Sequence, residues 1–323
     1  MTTAPASGLA IETTALTKRY GRRTALEGVD LAIDSGSVFG VIGPNGAGKT
    51  TTMRLLLDLI RPSEGDIRVL GTTPRAGGPA LRRTIGYLPG ELRLETRAKG
   101  RDLLKHLERL SGPVAPGAIE RLASRLDVDL GRPVRSLSKG NKQKIGLIQA
   151  FMHEPRLLVL DEPTSGLDPL VQQEFLAMVR EARDAGQTVF LSSHVLSEIQ
   201  QAADAVAILR AGRVVSVSTV ERLRQQALRH IRIGVGTAEI DALRATLVRI
   251  RGLTIDAEVP PDDGMATVQA TLEGSIDDVV RALGGHRILD LVVQEPDLEE
   301  SVLRFYRGER ASDAGAASEG SER

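Results

Sequence analysis

Cysteine and tryptophan are absent from this 323-residue chain. Without cysteine there is no disulfide, no thiolate metal ligand and no thiol nucleophile. Aromatic residues make up only 2% of the sequence, five Phe and three Tyr. That is too few for the stacking platforms of a single-strand nucleic-acid binder. A charge excess is missing too, since 42 Lys and Arg balance 42 Asp and Glu. The balance argues against nucleic acid as the main partner. No apolar run approaches the ~20 residues needed to span a bilayer. Residues 1–14 lack the basic start and long apolar stretch of a secretory signal. The expectation is a soluble, cytoplasmic chain whose membrane role, if any, comes through a partner.

Hydrophobic residues amount to 41%, enough for a packed core. The length suits two domains. Residues 9–15 and 25–33 alternate as half-buried strands do. Residues 37–42 form a compact apolar strand followed by a Gly-rich turn. From Lys49, the apolar residues Met53, Leu56, Leu57 and Ile60 recur at helical spacing, with Pro62 as the stop. Further strands are expected at 67–70, 84–88, 157–160, 189–192, 206–210 and 213–217. Helices are expected at 171–185 and 196–203. Residues 91–136 read as mostly helical, with Leu103, Leu104, Leu107 and Leu110 on one face. Buried strands alternating with helices indicate an α/β core. After residue 229 the order becomes βαββαβ plus a final helix at 297–307. This suggests a small α+β, ferredoxin-like domain. Residues 308–323, rich in Gly, Ala, Ser and Glu, read as a disordered tail.

Residues 43–50 read Gly-Pro-Asn-Gly-Ala-Gly-Lys-Thr, which matches GxxxxGK[ST] between a buried strand and a helix. Gly46 and Gly48 let backbone N–H groups curl around phosphates, with Gly43 and Asn45 in the same nucleotide-binding loop, and the helix N-terminus favours an anion. Lys49 is expected to reach the β- and γ-phosphates. Thr50 is expected to ligate Mg²⁺, with Thr51 beside it. The strand 157–160 ends in Asp161-Glu162-Pro163. A carboxylate at the tip of a parallel strand sits at the mouth of the sheet. Asp161 suits Mg²⁺, and Glu162 suits a general base for water. His194 follows another such strand, where an imidazole can hydrogen-bond the γ-phosphate.

Residues 137–141 read Leu-Ser-Lys-Gly-Asn and open a helix upstream of Asp161-Glu162. With Tyr20, the 43–51 loop, Ser165-Gly166-Leu167-Asp168 and His194, in this order, the chain resembles the ATP-binding cassette (ABC) family. The resemblance covers roughly residues 9–220 and implies a P-loop NTPase cassette at 9–228, with antiparallel β and helical (91–136) subdomains. It implies that Tyr20 stacks on adenine. It also implies that Ser138 and Gly140 contact the γ-phosphate of ATP held by a second copy, and that Asp168 connects the two sites. A head-to-tail homodimer follows, with Lys49, Glu162 and His194 catalytic.

The chain departs from the family pattern in two places. In the 137–141 motif Lys139 stands where Gly is usual, either adding charge beside the phosphates or lying solvated, and Asn141 stands where Gln is usual. Pro89-Gly90-Glu91 stands where the family places a Mg²⁺-ligating Gln. Glu91 either substitutes as a ligand or is a solvated charge. Residues 295–303 resemble the closing segment of ATPase subunits from drug-resistance and antibiotic exporters of the ABC-2 type. That implies an exporter motor at the cytoplasmic face of the membrane, working with a separate permease, and a C-terminal domain at 229–307 that contacts its twin or regulates closure. A non-transport regulatory cassette and an importer ATPase are the competing readings.

Overall fold

The computed structural model describes residues 8–226, 228–262 and 264–294. The readings placed on 295–307 and 308–323 lie outside them. The described chain forms two compact units, divided between Ser218 and Thr219. The break therefore comes about ten residues before the change of pattern at residue 229.

The first unit begins with β1 (Leu9–Tyr20), β2 (Arg23–Asp34), β3 (Val38–Ile42), α1 (Lys49–Leu56), β4 (Glu64–Val69), α2 (Pro74–Arg82) and β5 (Ile85–Leu88). It continues with α3 (Gly100–Glu108), α4 (Ala118–Arg125), α5 (Lys139–Phe151), β6 (Leu157–Asp161), α6 (Pro169–Asp184) and β7 (Thr188–Ser193). It closes with α7 (Leu196–Ala202), β8 (Ala205–Arg210) and β9 (Arg213–Thr219). Two sheets result. One is antiparallel, ordered β2-β1-β4, and the other is six-stranded, ordered β5-β6-β7-β3-β8-β9.

Strands β3, β6 and β7 are buried at every residue. That is the near-continuous apolar pattern expected of strands covered on both faces. Their pairing is parallel, with Ile42 opposite Ser193 and Asp161 opposite Ser192. This register brings the carboxyl ends of three strands to one edge, where ligands of open α/β sheets bind. The antiparallel sheet alternates instead, and Ala15 takes a left-handed φ of 48° at a shift in register. Both layers share one core, in which Phe39 and Phe190 stack with ring centroids 6.2 Å apart.

Several elements differ from the sequence reading. The helix from Lys49 ends at Leu56, not at Pro62, because Leu57 leaves helical geometry and Asp58 is left-handed at φ 56°. Ile60 still packs against the core from the following turn. Residues 91–136 are less helical than expected, holding α3, α4 and a single 3₁₀ turn at Val134–Ser136. Leu104 is fully buried, but Leu110 lies past the end of α3 and is 60% exposed. Helix α2 was hidden by Gly77-Gly78-Pro79, which reads as a turn. The helix tolerates these residues through a kink at Gly78. Arg125 of α4 reaches α6 with contacts of 2.5 Å to Glu174 and 2.6 Å to Glu181.

The second unit contains α8 (Val220–Gln226), β10 (Leu228–Gly236), α9 (Ile240–Leu247), β11 (Leu253–Asp262), β12 (Met265–Glu273), α10 (Asp277–Leu283) and β13 (Ile288–Val293). The sheet order is β11-β12-β10-β13, antiparallel throughout. This is the split-βαβ topology that the pattern of apolar residues suggests. Its core joins Ile231, Ile233 and Val235 to Leu243, Leu247, Val279 and Leu283. Helix α8 has no counterpart in the sequence reading.

Phe190 is fully buried in the central strand β7. Phe190→Ala is expected to destabilise the first unit by about 3–5 kcal/mol. Urea unfolding followed by far-UV circular dichroism measures the effect, and a loss below about 1 kcal/mol would contradict this packing.

Candidate functional site

The loop between β3 and α1 is shaped by Gly48, whose φ of 114° is open to glycine and strained for other residues. A Cβ there would lie 2.5 Å from Leu26 Cδ2. The turn aims the side chain of Lys49, 6% exposed, back along its own loop, and its Nζ donates to Gly43 O at 2.6 Å. The same Nζ lies 3.3 Å from Glu162 Oε1.

At the tip of β6, Asp161 is 1% exposed and accepts two hydroxyls. Thr50 Oγ1 donates to Oδ2 at 2.7 Å, and Ser192 Oγ donates to Oδ1 at 2.6 Å. Ser192 Oγ also accepts from Glu162 N at 3.0 Å. Glu162 has a left-handed φ of 50°, a conformation that costs a non-glycine residue about 1–3 kcal/mol. The second oxygen of Glu162, Oε2, lies 2.6 Å from His194 Nδ1. Lys49, Glu162 and His194 thus form one contiguous row, from a buried ammonium to an exposed imidazole.

Lys49, Asp161 and Glu162 border an open cleft of about 530 Å³, whereas His194 is not among its lining residues and meets it only through Glu162. Tyr20, Asn45, Gly46, Thr50 and Thr51 line it with Lys49, Asp161 and Glu162. Tyr20 is 47% exposed, and Lys18 Nζ stands 5.0 Å from its ring centroid. Among the described residues, no group of three or more His, Asp and Glu could hold a metal. Thr50 and Asp161 supply two hard oxygens in contact, which suits an oxygen-seeking divalent ion that takes its other ligands from phosphate and water.

Ser138, Gly140 and Asp168 do not line this cleft. Gly140 packs against the loop after β6, Ser138 caps the helix that carries Gly140, and Asp168 closes that loop. Ser138 Oγ accepts from Asn141 N at 3.3 Å and caps α5. Asp168 Oδ1 accepts from Val171 N at 3.0 Å and caps α6. A Cβ on Gly140 would lie 2.4 Å from Gly166 O, so the two segments touch backbone to backbone. Lys139 Nζ donates to Ser165 Oγ at 3.3 Å. Its neighbours in sequence diverge. Lys142 pairs with Glu95 at 3.3 Å, and the buried Lys144 donates to Asp127 O at 3.1 Å. The three lysines of this run therefore do not form one cationic patch.

Glu91 lies at the mouth of the cleft, but its carboxylate pairs with Arg93 at 3.1 Å, and both side chains are more than 80% exposed. At Gly90 a Cβ would come within 3.1 Å of Asp161 Oδ2.

The sequence reading missed Arg23, Arg54 and Tyr87 in the cleft. Burial and the charge of Asp161 push the Tyr87 phenol above its ordinary range, with Arg54 pulling the other way. It also missed Ser192, although a hydroxyl beside the tip of a buried parallel strand is the available signal. Gln143 of α5 was missed as well. Its Nε2 donates to Glu162 O at 3.3 Å and to Pro163 O at 3.2 Å, tethering the acidic turn to the helix opened by Ser138.

Comparison with known proteins gives the family. The ABC transporter family model matches residues 26–165. The chain is 36% identical over 307 residues to the daunorubicin resistance ATP-binding protein DrrA3 of Streptomyces coeruleorubidus, covering 91% of this chain and 94% of that one. It is 34% identical over 235 residues to the bacitracin transport ATP-binding protein BcrA of Enterococcus faecalis, covering 72% and 76%. A solved ATP-binding subunit of an ABC transporter superposes with a TM-score of 0.62 at 31% identity, over 67% of this chain and 92% of that one.

The buried ammonium of Lys49 gives a direct test of the cleft. Lys49→Ala is expected to lower ATP turnover by at least about 10²-fold, the scale of removing one charge-stabilising donor. Steady-state phosphate release measures it, and full activity would remove Lys49 from the phosphate site.

Proposed function

The chain belongs to the ABC transporter family, and from that premise we propose that it is the ATP-hydrolysing motor of an exporter. In this reading it drives a drug or antibiotic through a separate membrane permease. One observation carries the reading. The likeness to the daunorubicin resistance protein runs over 307 residues, so it extends beyond the cassette into the C-terminal unit. A cassette alone is common to many transporters, whereas the combination narrows the class. Among the described residues no helix is long and apolar enough to cross a membrane. In this reading the permease is a separate chain and this one works at the cytoplasmic face of the membrane.

The row of side chains accounts for the chemistry. Phosphoryl transfer demands positioning and charge more than covalent help. Lys49 places a buried positive charge where the loop cradles phosphates. Glu162 is oriented on both oxygens, by Lys49 and His194. A carboxylate held in this way can take the proton from an attacking water. His194, exposed beside it, donates to the transferring phosphate or returns its nitrogen to Glu162 when the site empties. Thr50 and Asp161 are the residues that would hold Mg²⁺, which supplies charge to the phosphate oxygens. Tyr20 offers its ring to the adenine.

The groups outside the cleft give the dimer its reason. Ser138, Gly140 and Asp168 stand apart from their own chain's cleft, and a second copy facing head-to-tail brings them to the γ-phosphate. ATP then bridges two copies, and hydrolysis releases the bridge.

Glu162→Gln keeps the shape of the site and removes the base. It is expected to bind ATP, to lose turnover by at least about 10²-fold, and to elute as a dimer on size exclusion with ATP. Elution as a monomer in saturating ATP would refute the shared site. Transport itself is tested by reconstituting the chain with a candidate membrane permease and measuring ATP-dependent efflux of a daunorubicin-like substrate. For the altered loop, Glu91→Ala is expected to leave turnover and its Mg²⁺ dependence unchanged within about twofold, as for an exposed pair. A rise in the Mg²⁺ requirement would make Glu91 a ligand.

A further inference from the structure

The loops after β6 and β7 are joined at three places. Ser192 binds Asp161 and Glu162 N, and His194 meets Glu162. The third joint is formed by a residue outside the cleft. Glu198, in the first turn of α7, accepts at a single oxygen from two hydroxyls. Ser193 Oγ donates to its Oε2 at 2.6 Å, and Thr164 Oγ1 donates to the same atom at 2.8 Å. Ser193 is 1% exposed and Thr164 is 6% exposed, so neither hydroxyl has water to fall back on. Ser193 Oγ also accepts from Val195 N at 2.9 Å, which fixes the backbone on both sides of His194.

We infer that Glu198 is a positioning residue for ATP hydrolysis, locking the turn that carries His194 to the segment Thr164–Asp168 that carries the contacts meant for a second copy. The physical argument is the chemistry of the acceptor. An ionised carboxylate takes two O–H donors at short distance, and such charge-assisted bonds are about twice as strong as neutral ones. One side of this joint is a single residue from His194, which touches Glu162. The other side leads through Ser165 and Gly166 to Lys139 and Gly140. A shift of the partner-facing segment is therefore felt at the Glu162–His194 pair through Glu198. This rests on the hydrolytic reading above. If that reading fails, the unsubstituted protein shows no turnover at all, a result separate from any effect of Glu198.

The test uses the full chain and compares Glu198→Ala with Glu198→Gln, whose amide oxygen still accepts. ATP turnover is resolved into kcat and KM, and affinity is measured with a fluorescent ADP analogue. Glu198→Ala is expected to lower kcat at least fivefold while ADP affinity stays within twofold. Glu198→Gln is expected to retain clearly more turnover than the Ala variant. A smaller fall in kcat, an equal loss in both variants, or a parallel loss of ADP affinity would overturn the assignment. Should Glu198→Ala fail to fold, Thr164→Val carries the test, since it keeps volume and removes one donor. A kcat lowered at least threefold with ADP affinity unchanged supports the joint, and an unchanged kcat overturns it.

Discussion

The carboxylate of Glu162, clasped between the ammonium of Lys49 and the imidazole of His194, is the contact on which the site depends. Its three members come from the ends of three parallel strands or the turns after them. They meet only because β3, β6 and β7 end in register at one edge of the sheet. The central strands are buried throughout, so a slip in register would carry polar tips such as Asp161 into the core. Burial of the sheet and placement of the chemistry are the same constraint. The left-handed backbone of Glu162 shows where that constraint is paid for. The strain persists because Ser192 and Gln143 hold the residue's own N–H and C=O.

How much of this was legible in the sequence depends on whether a feature is local. The loop at 43–50 and the tip Asp161-Glu162 are runs of adjacent residues, and each carries its geometry in its own spacing, whereas Ser138 and Asp168 stood out only through the family resemblance and their capping of α5 and α6 did not. The buried runs Val38–Ile42 and Leu157–Asp161 announced themselves by composition. Features made by contacts between distant segments did not. Ser192, Gln143 and Glu198 act on residues 19 to 34 positions away, and no short pattern marks them. Pro62 looked like the stop of α1, yet the helix ends six residues earlier because tertiary packing draws Leu57 and Ile60 into the core from a turn. Leu110 fitted a helical face that ends before reaching it. In both places the apolar spacing was real and the element was shorter than the spacing suggested.

The turn after β5 shows how a missing side chain can be read physically. A Cβ at Gly90 would press on Asp161 Oδ2, the oxygen that accepts from Thr50. The backbone thus approaches the buried carboxylate more closely than a side chain allows, and Tyr87 and Arg54 fill the flank of the cleft beside it. Glu91 pairs with Arg93 instead, and Thr50 meets Asp161 directly.

The separation of two groups of residues then bears on how a single chain works. Lys49, Asp161 and Glu162 border one cleft, whereas Ser138, Gly140 and Asp168 lie outside its lining, with Gly140 against Gly166 of the loop that ends at Asp168. Both caps accept from N–H groups of their own helices, and the N-terminus of α5 favours an anion. An anion brought there has to come from elsewhere, and under the proposed function it is the nucleotide of a second copy. The segment from Thr164 to Asp168 lies between the groups, touching Gly140 on one side and Glu198 on the other. Under the proposed function, closure of two copies would reach the Glu162–His194 pair through side chains already hydrogen-bonded in one chain.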